Sequence, residues 1–279
     1  MIKGWRYYNH AMLSTGAPQD EVNLKPLEDG TIWKQKGYPL FVRYVSDYDC
    51  GHPTEWWYCL KDSEYRIDTL NAKKRYRITK GRKCFDVRPI DESKYYDAII
   101  DVQIEAYSQY PEQYRPNLSK EELKNDIIKW SNQRHTLLGA FRMSDGKLCG
   151  FSLVNEFERY CYFVQQKAIP ECERDEINAA LVDGVLTFYK DKIAPNYPIV
   201  DGQRNLVHET AFQEYLCKYF GFRYAYCRLN IVYRKWMKVL VNILYTHKEK
   251  LKNKNGKLFH LINGVLQMEE IARSFKEDG

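Results

Sequence analysis

TLLGAFRMSDGKLCGFSLVNEFERYCYFVQQKA, residues 136–168, reads as three antiparallel strands in succession. Thr136–Arg142 and Leu148–Phe157 are apolar, β-rich runs, and Ser144-Asp145-Gly146 between them has the composition of a hairpin turn. Tyr160–Ala168 closes the meander.

The flanks of this meander alternate between helix and strand. Upstream, Tyr95, Ile99, Val102 and Ala106 recur at helical spacing, which predicts a helix over 92–106. Ser119 and Glu122 form a capping box ahead of Leu123, Ile127 and Trp130. Downstream, Ile177, Ala180, Leu181, Gly184, Val185 and Phe188 make one apolar stripe, and Phe212, Tyr215, Leu216 and Tyr219 make another. Tyr197–Val200 reads as a short strand and Phe222–Val232 as a final long one. The order predicts an α/β (α+β) fold: a mixed central sheet with helices on both faces.

Outside this region the character changes. Residues 1–67 are punctuated by Gly and Pro and carry the strand candidates Tyr38–Val45 and Glu55–Leu60, a smaller strand-rich lobe. Asp68 is placed to cap a basic helix running to about Thr79, with Gly81 as its stop. Phe85–Ile90 then links to the main domain. After Tyr233 comes a basic amphipathic tail, broken at 252–256 before a last short helix. Four segments follow: 1–67, 68–90, 91–233 and 234–279.

With 44% hydrophobic and 15% aromatic residues the chain has the material of a packed core. No apolar run reaches the ~20 residues of a membrane span, and no secretion signal opens the sequence. The eight cysteines are dispersed, without a C-x-x-C pair. These features predict a cytoplasmic protein. Cys50, His52 and Cys59 lack the second ligand pair of a zinc site, so no metal is expected. The net charge of +6 is concentrated: residues 68–83 hold seven Lys/Arg against one acid, and 234–257 hold eight against one. Each block is either a solvated helix face or a seat for an anionic partner. For 234–257 that partner is an anionic membrane surface, placing the protein at the inner membrane face, with Trp236 at the interface.

Two segments carry a resemblance. The element order and ETAFQEYLCKYFGF at 209–222 resemble the GNAT acyltransferase superfamily, whose fourth helix ends in an aromatic-Gly-Phe turn. NAKKRYRITKGRKCFDV at 71–87 is similar to the basic helix-to-strand segment of the FemAB-like branch, which includes GNAT-like proteins of bacterial envelope and polysaccharide gene clusters. The resemblance implies transfer of an acyl or aminoacyl group onto an amine of an envelope or polysaccharide precursor. The donor it implies is acyl-CoA or aminoacyl-tRNA, with tRNA then a partner. Two departures stand out. The family's pyrophosphate loop falls on Arg174–Ala179, where Ile177 replaces a glycine and Asp175 and Glu176 oppose phosphate. Cys217 stands where many relatives place a proton-donating tyrosine. These departures also fit a second reading, a catalytically inactive scaffold of a biosynthetic complex.

The densest polar cluster is Asp201-Gly202-Gln203-Arg204-Asn205 with His208-Glu209, between a strand and the motif helix. In the catalytic reading Asp201, His208 or Glu209 accepts the amine proton, Cys217 serves the leaving group, and Gln203 and Arg204 hold substrate. In the structural reading Asp201 caps a turn, His208 and Glu209 open a helix, and Cys217 packs. Trp56 and Trp57 either stack on a sugar or base or fill the core; as strand neighbours they point oppositely, so at most one is core. Arg75, Arg77 and Lys80 are positioned to grip phosphates.

Overall fold

The computed structural model describes residues 2–110, 115–206, 211–252 and 256–275, with only the backbone at Lys257. The chain forms two compact units. The first comprises 1–59, 203–211 and 224–279, and the second 60–202 and 212–223.

In the first unit, β1 (Trp5–Tyr8) and β2 (Ala11–Ser14) form an antiparallel hairpin. The short helix α1 (Lys25–Glu28) follows, and then β3 (Phe41–Ser46), which runs parallel to β2. The strand β11 (Arg228–Tyr233) completes the sheet order β1-β2-β3-β11, antiparallel to β3. Side chains alternate across the sheet. Val42 packs with Trp5, Met12 and Ile32 in one cluster, whereas Val45 and Ile231 join Trp56, Cys227, Leu229 and Ile271 in another. The helices α7 (Lys235–Thr246), α8 (Lys248–Lys252) and α9 (Lys257–Ser274) end the unit. The last helix is thus eighteen residues long, not short, because its apolar positions continue to Met268 and Ile271, both buried.

The second unit holds β5 to β8 and most of β9 of a seven-stranded sheet of order β10-β4-β9-β8-β7-β6-β5. Its members are β4 (Trp57–Lys61), β5 (Phe85–Pro89), β6 (His135–Arg142), β7 (Leu148–Glu156), β8 (Cys161–Ala168), β9 (Ile199–Gln203) and β10 (Arg223–Tyr226). The meander is as read: β5 to β8 pair antiparallel in sequence order. The central β7 is buried over its first seven residues, as a strand covered on both faces must be. Phe151 meets Trp130 of α4 (Lys120–Trp130), while the space at Gly150 is bounded by Ile177 and Leu181 of α5 (Ile177–Phe188). The helix α3 (Tyr96–Ser108) packs with α4, and the Ser119–Glu122 capping box opens α4 as expected.

Two readings are corrected. The basic helix α2 (Ala72–Cys84) is capped by Asn71, not Asp68, and runs through Gly81 instead of stopping there. Gly81 is needed for close approach: a Cβ would lie 2.8 Å from the Glu176 carbonyl oxygen and 3.1 Å from Ala180 Cβ. The run Phe222–Val232 is two strands in two sheets, broken at Cys227, whose N–H bonds the Trp56 carbonyl. No Gly or Pro marks that break, so the apolar pattern passes through it unbroken. Among the described residues no helix is long and apolar enough to cross a membrane.

Candidate active site at a splayed strand pair

The parallel strands β8 and β9 pair only at their starts, Cys161 with Ile199 and Tyr162 with Val200. Beyond that point β8 stays on β7 and is bent by a bulge: Leu153 faces Gln165 and Val154 faces Phe163, leaving Val164 as the extra residue. A bulge of this kind re-aims the strand and ends pairing on its other edge. The two strands therefore part, and Asp201 is the first β9 residue beyond the last pair.

Asp201 is half-buried, and the loss of water pushes its carboxyl up to about 7. A hydrogen bond from Gln213 offsets part of that rise. Gln213 lies on α6 (Ala211–Phe220), is itself buried, and its Nε2 also reaches the Gly202 carbonyl at 3.4 Å. Gly202 has φ +111, and a Cβ there would lie 2.9 Å from the Tyr162 hydroxyl. Only glycine lets the β9 backbone pass that hydroxyl in this conformation. Cys217 is one helical turn after Gln213 and shares its face. Asp201 and Gln213 thus meet where the strands part, with the Tyr162 hydroxyl beside Gly202. His208 and Glu209 lie outside the described residues.

The start of α5 departs from a phosphate cradle in a specific way. A 3-10 turn, Pro170–Asp175, leads into Glu176 at φ +64, and Ile177 is fully buried. Arg77 Nε donates to Glu176 Oε2 at 2.8 Å, and its guanidinium lies 4.5 Å from the Tyr219 ring centroid. Lys80 donates to the Arg174 carbonyl and stands 3.8 Å from Asp175. Arg75 donates to the carbonyls of Asp68 and Leu70. Arg82 pairs with the buried Asp183, which also accepts from Tyr65. The basic residues of α2 expected to grip phosphates are therefore engaged with the protein itself. A cleft of about 270 Å³ beside this turn is lined by Arg142, Glu171, Cys172, Arg174 and Asp175, two acids against two arginines.

The remaining candidates lie in the first unit. Trp56 is 1% exposed and Trp57 half-buried, as opposite-facing neighbours require. The Trp57 ring packs on Tyr224 at 4.9 Å, and the Arg204 guanidinium lies 4.9 Å from the Trp57 centroid. Arg204 also pairs with Glu55. Gln203 Nε2 donates to the Tyr58 hydroxyl at 2.6 Å. Gln213, Tyr162 and Tyr224 were not singled out from sequence. Gln213 had a signal, since it precedes Cys217 by four in the motif helix. Tyr162 and Tyr224 depend on strand pairing and had none.

Two solved structures share this architecture. L-PGS from Bacillus licheniformis superposes with a TM-score of 0.50 at 12% identity, over 88% of this chain and 84% of that one. The C-terminal domain of a protein designated a lysylphosphatidylglycerol synthetase, from Agrobacterium fabrum, gives 0.51 at 11% identity, over 86% and 82%. PaiA N-acetyltransferase from Thermoplasma acidophilum, solved with coenzyme A, aligns at 25% identity over 39% of this chain and 73% of that one, with a TM-score of 0.31. No family model and no curated protein matches the chain. The likeness to the first two shows a shared mixed α/β fold.

Proposed function

We propose that this chain is an acyltransferase of the FemAB-like kind, moving an acyl or aminoacyl group onto an amine held in the opening between β8 and β9. The observation that carries the reading is Asp201: a carboxyl poised near pH 7, on the first residue past a strand pair that splays apart. A base with that affinity takes a proton from an ammonium acceptor, freeing the nitrogen lone pair that then attacks the donor carbonyl. The β8 edge facing the opening, unpaired with β9 beyond Tyr162, offers backbone N–H groups to the developing oxyanion. Cys217, one turn from Gln213, is placed to protonate the leaving group. His208 and Glu209 are alternative bases. In the first unit, Trp57 and Arg204 form a stacked platform suited to a sugar or base, with Gln203 beside it on Tyr58.

The donor we favour is aminoacyl-tRNA over acyl-CoA. Glu176 at the α5 start repels a pyrophosphate, while Lys73 and Lys83 of α2 remain exposed to a polyanion. The name of the Agrobacterium fabrum domain puts a lysyl donor among the substrates to try. An envelope acceptor at the inner membrane face fits α7, which has no acid and exposes Trp236, Val239, Leu240 and Ile243 beside Lys235 and Lys238. The second reading, an inactive scaffold, draws on the Arg77–Glu176 pair that closes the α5 start.

Mass spectrometry of mixtures containing acyl-CoA or charged tRNA, with amino sugars as acceptors, tests the proposal. Loss of donor ester matched by an acylated acceptor supports it. Intact donors across the whole panel favour the scaffold.

A further inference from the structure

Strand β3 of the first unit turns Arg43 to the face opposite Val42. There Arg43 is half-buried and its guanidinium lies 5.6 Å from the Trp56 ring centroid. Its hydrogen-bond partner is Met268 Sδ, at 3.9 Å, a weak acceptor. Among the described residues no carboxylate pairs with it; the Tyr58 hydroxyl favours its charge, and Arg6, of like sign, opposes it. Other arginines of this protein are treated differently: Arg82 meets Asp183, Arg223 meets Asp62, and Arg77 meets Glu176.

Trp56 adds a second unmet donor. Its Nε1 is shut from solvent and has no acceptor among the described residues. A buried N–H without a partner and a buried cation without a counter-charge each carry a desolvation cost that the fold leaves uncompensated. Here the unmet N–H and the guanidinium belong to two side chains in contact.

We propose that Arg43 and the Trp56 indole N–H form a binding site for an oxyanion, a phosphate or carboxylate carried by a ligand of the first unit. The flat fork of a guanidinium matches two oxygens of either group. Burial, only partly offset by Tyr58, holds the guanidinium below its usual range, and an anion reverses that penalty. The half-buried Arg43 leaves a way in. The site stands apart from the transferase reading, since it invokes neither a donor nor Asp201.

The test is thermal unfolding of the full chain with inorganic phosphate or acetate, at ionic strength held constant with chloride. The wild type is expected to show a saturable rise in Tm. A rise with phosphate alone assigns the site to a phosphate-bearing ligand, and a rise with acetate assigns it to a carboxylate. Arg43→Met is expected to melt higher than wild type without anion and to lose the response. Arg43→Lys keeps the charge without the fork and weakens the response about tenfold, and Trp56→Phe keeps the ring and weakens it several-fold. No saturable shift with either anion, or an undiminished shift in Arg43→Met, overturns the proposal.

Discussion

Arg77 Nε donates to the Glu176 carboxylate at 2.8 Å, at the residue that opens α5. The positive end of a helix attracts an anion. In this protein the helix start is met by the chain's own carboxylate, with its own arginine as counter-ion. The same crossing explains Gly81, whose missing side chain lets α2 approach the Glu176 carbonyl.

That pair makes Glu176→Gln informative about the donor. The change removes an acid from the helix start and releases Arg77. Titration calorimetry is expected to find weak coenzyme A binding to wild type and about tenfold tighter binding to the variant, a gain of ~1.4 kcal/mol. Tight binding to wild type, unchanged in the variant, contradicts the donor assignment.

Asp201 predicts a pH signature in stability. Its carboxyl rises from 3.8 to about 7 on folding, so between those values the folded protein holds a proton that the unfolded chain has released. Stability falls as pH rises wherever the folded state binds more protons. The contribution is whole below 3.8 and is lost as pH climbs through about 7. Asp201→Asn removes this dependence. Its Tm relative to wild type is expected to increase steadily from pH 5 to pH 8, and a constant difference would argue against a buried, proton-holding Asp201.

The exposed face of α7 predicts vesicle binding. Val239 is 60% and Ile243 55% exposed, so Val239→Ser with Ile243→Ser is expected to change stability by no more than about 0.5 kcal/mol per site. Co-sedimentation with phosphatidylglycerol vesicles is expected to drop about tenfold or more, and zwitterionic vesicles to bind neither protein well. Equal sedimentation of both proteins removes the membrane assignment.

Much of the second unit was legible because its signals are local. The meander at 136–168, the Ser119–Glu122 box and the α5 stripe each depend on residues within one or two turns. Misreadings arose where a distant partner decided the outcome. Gly81 looks like a helix stop until Ala180 is seen against it. The break at Cys227 is made by a bond to Trp56, far away in sequence. Asp201 could be singled out by its polar neighbours and its place after a strand. Its raised proton affinity could not, because that comes from burial beside Gln213. Likewise the basic run at 68–83 shows its charge openly but hides that Arg77, Lys80 and Arg82 are spent on α5 and the turn before it.

Single-turnover transfer from a charged donor, measured against pH for wild type and Asp201→Asn, tests the account at its centre. A wild-type rate that climbs through about pH 7, and a variant slower by ~10²–10⁴ that still binds donor, is the predicted result. An Asp201→Asn protein that transfers as fast as wild type, with the same pH profile, contradicts it.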